Sequence, residues 1–161
     1  MIYMWALFLY INIYSVLNHR VLISCMPPGP LTVEESGYSW TAIGLNKVFR
    51  LSEYHPGDHF SKHIDAYFTQ SSDEKSMFTV NIYLNSYIRD FEGGNTRFFF
   101  DSDEEFDCCV RLVESTALIF RQPPAVAYMH DGERVVSGYK YLIRTDTMYK
   151  IIPGKFVQNA P

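Results

Sequence analysis

From residue 47 onward the apolar and polar positions change over in short runs, and no helical period is sustained. "KVFRLSEY" (47–54) alternates, with Val48 and Arg50 set against Phe49 and Leu51. "FSKHIDAYF" (60–68) continues in the same extended style. "SMFTVNIYLN" (76–85) is dense in β-branched and aromatic residues, the composition of a buried strand. "FEGGNTRFFF" (91–100) enters a strand through Gly93-Gly94, and "STALIF" (115–120) is a short apolar strand. "AVAYMH" (125–130) predicts a strand with Val126, Tyr128 and His130 on one face. "YKYLIRTDTMY" (139–149) predicts a long one with Lys140, Leu142 and Arg144 on one face. Turn residues separate these runs at short, regular intervals, which predicts a mainly β sandwich or jelly roll with few flanking helices, one of them near the start.

The first residues do not share this rhythm. "MIYMWALFLYINIYSVL" (1–17) carries no charged side chain, and "CMPPGP" (25–30) breaks regular structure. Residues 1–32 therefore read as an apolar segment with a Pro-rich break: a signal or anchor, an apolar helix packed on the domain, or a divergent start. Residues 33–161 form the domain proper. Membrane contact is expected only if residues 1–20 are an anchor. A cytoplasmic location is favoured over the secretory one that the apolar start would suggest.

Composition narrows the partners. With 161 residues, 47% hydrophobic and 16% aromatic, the chain can build one real core. Its formal net charge of −4 disfavours nucleic-acid binding as the main role. Cys25, Cys108 and Cys109 form neither a disulfide framework nor a zinc ribbon. "DSDEEFDCC" (101–109) lacks the glycine and closing glutamate of an EF-hand and reads as a solvated loop.

Candidate chemistry concentrates in "EYHPGDHFSKHID" (53–65). His55, His59 and His63 are four apart, as on one face of a helix, but Pro56-Gly57 interrupts the run, and proline inside a helix costs about 3 kcal/mol. In a strand, His63 and Asp65 point the same way, while His55 and His59 lie back towards the turn. One histidine and one carboxylate make two thirds of a facial triad for Fe(II), and His130 is the candidate for the missing ligand. Such a triad leaves three positions open, two for a 2-oxo acid and one for O2. The distal carboxylate of that acid needs a buried cation, and Lys140, ten residues after His130, can supply it.

In order and spacing, "LSEYHPGDHFSKHIDAYF", "TVNIYLN", "FEGGNTRFF", "ALIF" and "HDGERVVSGYKYLIRTDTMY" resemble the prolyl 4-hydroxylase-like branch of the Fe(II)/2-oxoglutarate dioxygenases, over roughly residues 44–149. The resemblance implies a double-stranded β-helix, with iron held by His63, Asp65 and His130. It implies that Lys140 pairs with the distal carboxylate of 2-oxoglutarate, that Thr96 of "GGNT" shares that carboxylate, and that Tyr83 and Tyr54 line the cosubstrate pocket. Arg144 is the reserve cation, or else the partner of a nearby acid. Fe(II), 2-oxoglutarate, O2 and, as an accessory, ascorbate are the implied cofactors. The implied reaction hydroxylates an unactivated C–H of a prolyl, other peptidyl or small-molecule substrate, releasing succinate and CO2. The helices that precede the core in such enzymes have no counterpart in the pattern here. Two rivals stand beside this reading: an iron-free jelly-roll relative acting as a binding module, and a zinc hydrolase, for which Glu133 is the nearest general base.

Overall fold

In the computed structural model, which describes residues 9–10, 32–99 and 108–156, every element is a β-strand. The first strands are β1 (Leu9–Tyr10), β2 (Thr32–Glu35), β3 (Tyr38–Leu45), β4 (Arg50–Tyr54) and β5 (Phe60–His63). β6 (Thr69–Ser71), β7 (Glu74–Tyr83), β8 (Phe91–Gly93), β9 (Thr96–Phe99) and β10 (Cys108–Val110) follow. β11 (Thr116–Arg121), β12 (Met129–Gly132), β13 (Val135–Gly138) and β14 (Lys140–Phe156) complete the set. The expected early helix and the acidic stretch before Cys108 lie outside the described residues, as does nearly all of the apolar start. No helix among the described residues is long and apolar enough to cross a membrane.

The strands form a larger sheet in the order β1-β11-β7-β14-β3-β2, with β4 added to β14 and β6 to β7. A four-stranded sheet, β10-β9-β12-β5, faces it, and β13 pairs with β8. This is the jelly-roll layout that the short alternating runs predict. β14 organises it. Its first residues lie between β4 and β7, with Leu142 opposite both Ser52 and Tyr83, and its later ones lie between β7 and β3.

Alternation along β7 splits its side chains between two faces. Met77, Thr79, Asn81 and Tyr83 share one, and Phe78, Val80 and Ile82 the other. On the first face Tyr83 joins Phe98, Leu112, Leu118, Phe120 and Leu142 in the core between the two sheets. Full burial of each large apolar side chain contributes roughly 1.5–3 kcal/mol, so this cluster fixes how the sheets close. Val80 and Ile82 pack with Leu45 and Ala117 on the opposite face.

One expected strand is shorter than its pattern. Residues 125–128 are not in the sheet, and β12 begins only at Met129. Pro123 and Pro124 bring the chain round a turn through Ala125, and proline has no N–H to give a ladder. Val126 is accordingly exposed rather than aligned with His130.

Candidate metal centre

β5 and β12 run antiparallel with His63 directly opposite His130, and their ring centroids are 4.3 Å apart. Asp65, two residues past His63, turns back to the same point. Its Oδ1 is 3.2 Å from His63 Nε2 and its Oδ2 is 3.8 Å from His130 Nε2. One ligand atom from each of the three lies within 4.8 Å of the others. His55 and His59 stay outside, both exposed. His55 is held by Glu53 at 3.3 Å and lies edge-on to Tyr139.

Both rings are oriented by the carbonyl two residues before them. His63 Nδ1 is 2.8 Å from the Ser61 carbonyl, and His130 Nδ1 is 2.9 Å from that of Tyr128. A carbonyl can only accept, so each Nδ1 carries hydrogen and each neutral ring presents the Nε2 lone pair. For His63 that lone pair faces a carboxylate oxygen 3.2 Å away. Two electron-rich atoms so placed require a cation between them, either a proton or a metal ion. Without metal the proton takes the role. The hydrogen bond to Asp65, the largest effect, raises the His63 pKa above its usual value. Burial lowers that of His130, which packs against Phe98 and Phe120. The donor set, two imidazole nitrogens and one carboxylate, suits Fe(II).

Asp65 is only 5% exposed, and burial alone would raise its pKa. Hydrogen bonds from His63 and Thr79, with the charges of Arg144 and His130, outweigh that and hold the carboxyl at about 2. Thr79 Oγ1 donates to Asp65 Oδ2 at 2.7 Å, and Arg144 Nη2 lies 2.8 Å from Oδ1. Behind Thr79, Gln122 Nε2 donates to Thr79 Oγ1 (3.1 Å) and to Asp146 Oδ1 (2.9 Å). Gln122 Oε1 accepts from Ser76 Oγ (2.7 Å). Because the amide donates to the Thr79 oxygen, the single hydroxyl proton of Thr79 is directed at Asp65.

A pocket of about 200 Å³ opens onto the triad, and Lys140, Thr96, Tyr54 and Arg144 line it too. Lys140 is 3% exposed. Its Nζ donates to the Gly94 carbonyl at 2.6 Å and lies 5.1 Å from the centre of the Tyr54 ring. Burial lowers its pKa to about 8, with Glu133 opposing the shift. Gly94 adopts a φ of +68°, open to glycine, and an added Cβ would come 3.3 Å from Lys140 Cδ. Tyr83 does not reach the pocket wall. It is buried in the core, where its hydroxyl meets Thr96 Oγ1 at 3.1 Å, so it braces Thr96 rather than lining the cavity. Arg144 shares the inward face of β14 with Lys140, as expected, but clamps Asp65. The zinc-hydrolase reading finds no support, because Glu133 is bound to Asn95 (2.7 Å) and is not among the residues lining the pocket. Asp131, which is among them, is held in both directions by Arg97.

Sequence reasoning missed Thr79, Asn81, Gln122 and Arg50. Thr79 and Asn81 were within reach, because they alternate with Tyr83 along β7. Asn81 lines the pocket, and its buried Oδ1 accepts no hydrogen bond among the described residues, so it can accept one from a bound donor. Nothing local marks Gln122, a polar residue at the end of an apolar strand.

The family described as the 2OG-Fe(II) oxygenase superfamily matches residues 49–145, more than half of the chain. No curated protein matches. Similar solved structures include a prolyl-4-hydroxylase from Pseudomonas putida, at 19% identity and a TM-score of 0.46, covering 62% of this chain and 50% of that one. Another is the truncated viral collagen prolyl hydroxylase of Paramecium Bursaria Chlorella virus-1, at 18% identity and a TM-score of 0.46, covering 70% and 58%. The 2OG complex of the viral protein gives 16% identity and a TM-score of 0.43, covering 86% and 92%. The chain thus spans about half the length of the Pseudomonas putida structure.

Proposed function

The chain belongs to the 2OG-Fe(II) oxygenase superfamily, and from that premise we propose that it hydroxylates an unactivated C–H of a peptidyl substrate, a prolyl residue being the first to test. His63, Asp65 and His130 hold the iron, and Lys140 with Thr96 holds the distal carboxylate of 2-oxoglutarate. Bound iron supplies the activation of O2 and couples it to decarboxylation of 2-oxoglutarate to succinate and CO2. The chain's own residues do the placing. The Ser61 and Tyr128 carbonyls hold a hydrogen on each Nδ1 and leave each Nε2 to the metal, and Thr79 and Arg144 keep Asp65 ionised. Lys140 brings a buried positive charge to the pocket, where a carboxylate gains most from it. No side chain acts as a general acid or base in this reading.

The observation that carries the proposal is the convergence of three donors from β5, the turn after it and β12 in the same pocket as a buried ammonium. The test is an anaerobic titration of the metal-free protein with Fe(II) and 2-oxoglutarate, followed by the visible absorption of the chelate. Wild-type protein is expected to develop the band. His63→Ala, Asp65→Ala and His130→Ala are each expected to lose it, along with succinate formation, while His55→Ala and His59→Ala keep both. A His130→Ala protein that still formed the chelate would overturn the ligand set. Succinate release on addition of proline-containing peptides then tests the substrate class.

A further inference from the structure

The pocket holds more positive charge than iron and 2-oxoglutarate use. Arg50 on β4 and Arg144 on β14 both line it, directly opposite one another in the β4–β14 register. The Tyr54–Lys140 pair lies four residues away in that register, with Ser52–Leu142 between. At about 3.3 Å per residue, the two ends of this floor are about 13 Å apart. Lys140 therefore marks one end of the groove and the arginine pair the other.

Like charges directly opposite on neighbouring strands destabilise a sheet unless something neutralises them. Arg50 is exposed, and its side chain makes no hydrogen bond or ion pair among the described residues. The Arg144 side chain is 27% exposed and touches Asp65. Once loaded, the rest of the site is balanced: the two charges of Fe(II) and the one of Lys140 are met by Asp65 and the two carboxylates of 2-oxoglutarate. Asp131 is already matched by Arg97. Asp146, next on the Arg144 face, accepts from Gln122 and Asn46 and is not among the pocket-lining residues; it offsets part of the Arg144 charge. The surplus sits at the arginine end, in a chain whose formal net charge is −4.

We propose that Arg50 and Arg144 form the substrate-recognition end of the groove and bind a carboxylate, so that the substrate is an acidic peptide segment. This rests on the oxygenase reading above. An arginine fork suits a carboxylate, and a site open to water on one side takes a side chain of a longer segment more readily than it encloses a small acid.

The test uses full-length protein loaded with Mn(II), which is redox-inert here, and 2-oxoglutarate, titrated calorimetrically with peptides. Acetyl-Glu-Pro-Glu-amide is expected to bind about tenfold tighter than acetyl-Gln-Pro-Gln-amide, with the difference shrinking as salt rises. Arg50→Glu is expected to abolish that preference and to favour acetyl-Lys-Pro-Lys-amide, a reversal that a structural role for Arg50 does not produce. Equal affinity for the three peptides in the wild type overturns the proposal. So does an Arg50→Glu protein whose 2-oxoglutarate affinity falls as far as its peptide affinity, because the arginines then serve the cosubstrate. N-acetylglutamate binding as tightly as the acidic peptide overturns the peptide class. If the wild type fails to load Mn(II) and 2-oxoglutarate at all, the oxygenase reading itself fails, before any peptide is added, and this proposal falls with it.

Discussion

Lys140 shows what a single residue contributes. Its ammonium is 3% exposed, is answered within the described chain by one carbonyl, and has its pKa lowered to about 8 by burial. The unfolded chain keeps that proton to about 10.4. Below pH 8 both states are protonated, and the folded state carries the whole cost of burying the charge. Between about 8 and 10.4 the unfolded state binds more protons, so the unliganded protein gains stability as pH rises through that window. 2-oxoglutarate holds the proton in place, so the rise in melting temperature that it causes is expected to shrink above pH 8. Melting curves over pH with and without Mn(II) and 2-oxoglutarate measure this, with Lys140→Met as the baseline that removes the slope. Lys140→Met is expected to cost about ten- to a hundredfold in 2-oxoglutarate affinity and to spare metal binding. Arg144→Ala differs in kind, because Arg144 touches Asp65, the proposed metal ligand. Lys140 was legible from its distance to His130. The clamp of Arg144 on Asp65 was not, because nothing in the spacing of either residue specifies contact between β14 and the turn after β5.

At the scale of elements, β7 carries the support for the triad. Thr79, fully buried on its inward face, presents its only proton to Asp65 because Gln122 occupies the other side of the hydroxyl. Thr79→Val keeps the shape and removes the hydrogen bond. Its expected effect is about a tenfold loss of Mn(II) affinity, the size usual for a residue that orients a ligand, with Thr79→Ser restoring most of it. Equilibrium dialysis of metal against each variant makes the comparison. Equal affinities for wild type and Thr79→Val would remove Thr79 from the site's support. The strand itself was visible as a β-branched and aromatic run, and so was its alternation. β12 was misjudged at its start, because an apolar run after two prolines has the composition of a strand without the hydrogen-bonding freedom to begin one.

For the whole molecule, the site links the two sheets. His63 and His130 come from the four-stranded sheet, and Lys140, Arg144 and Thr79 from the larger one. Metal on the His63 and His130 side together with 2-oxoglutarate on the Lys140 side binds the folded chain and not the unfolded one, so loading must stabilise the whole domain. At a hundredfold excess over its dissociation constant each of the two ligands contributes about 2.7 kcal/mol, or about 5–10 °C for a chain of this size. Scanning calorimetry is expected to show one such rise with Mn(II) alone and a second on adding 2-oxoglutarate. Asp65→Ala is expected to abolish the metal's share of it. A rise of equal size in Asp65→Ala would place the bound metal elsewhere.

The sequence by itself determined the main strands after residue 47, the face that Lys140 and Arg144 share on β14, and the residue types able to hold iron and a dicarboxylate. Those are local matters, set by period-two alternation and by what imidazole, carboxylate and ammonium can bind. It also set His63 and Asp65 two residues apart, although β5 ends at His63 and Asp65 reaches the same point from the segment after it. Only the tertiary structure decided that His130 stands opposite His63, that Tyr83 stops behind Thr96, and that two arginines meet at the far end of the groove. Each of those depends on the register between strands distant in the chain. Register is fixed by how the Phe98, Phe120 and Leu142 core closes between the sheets, not by the residues whose chemistry it brings together.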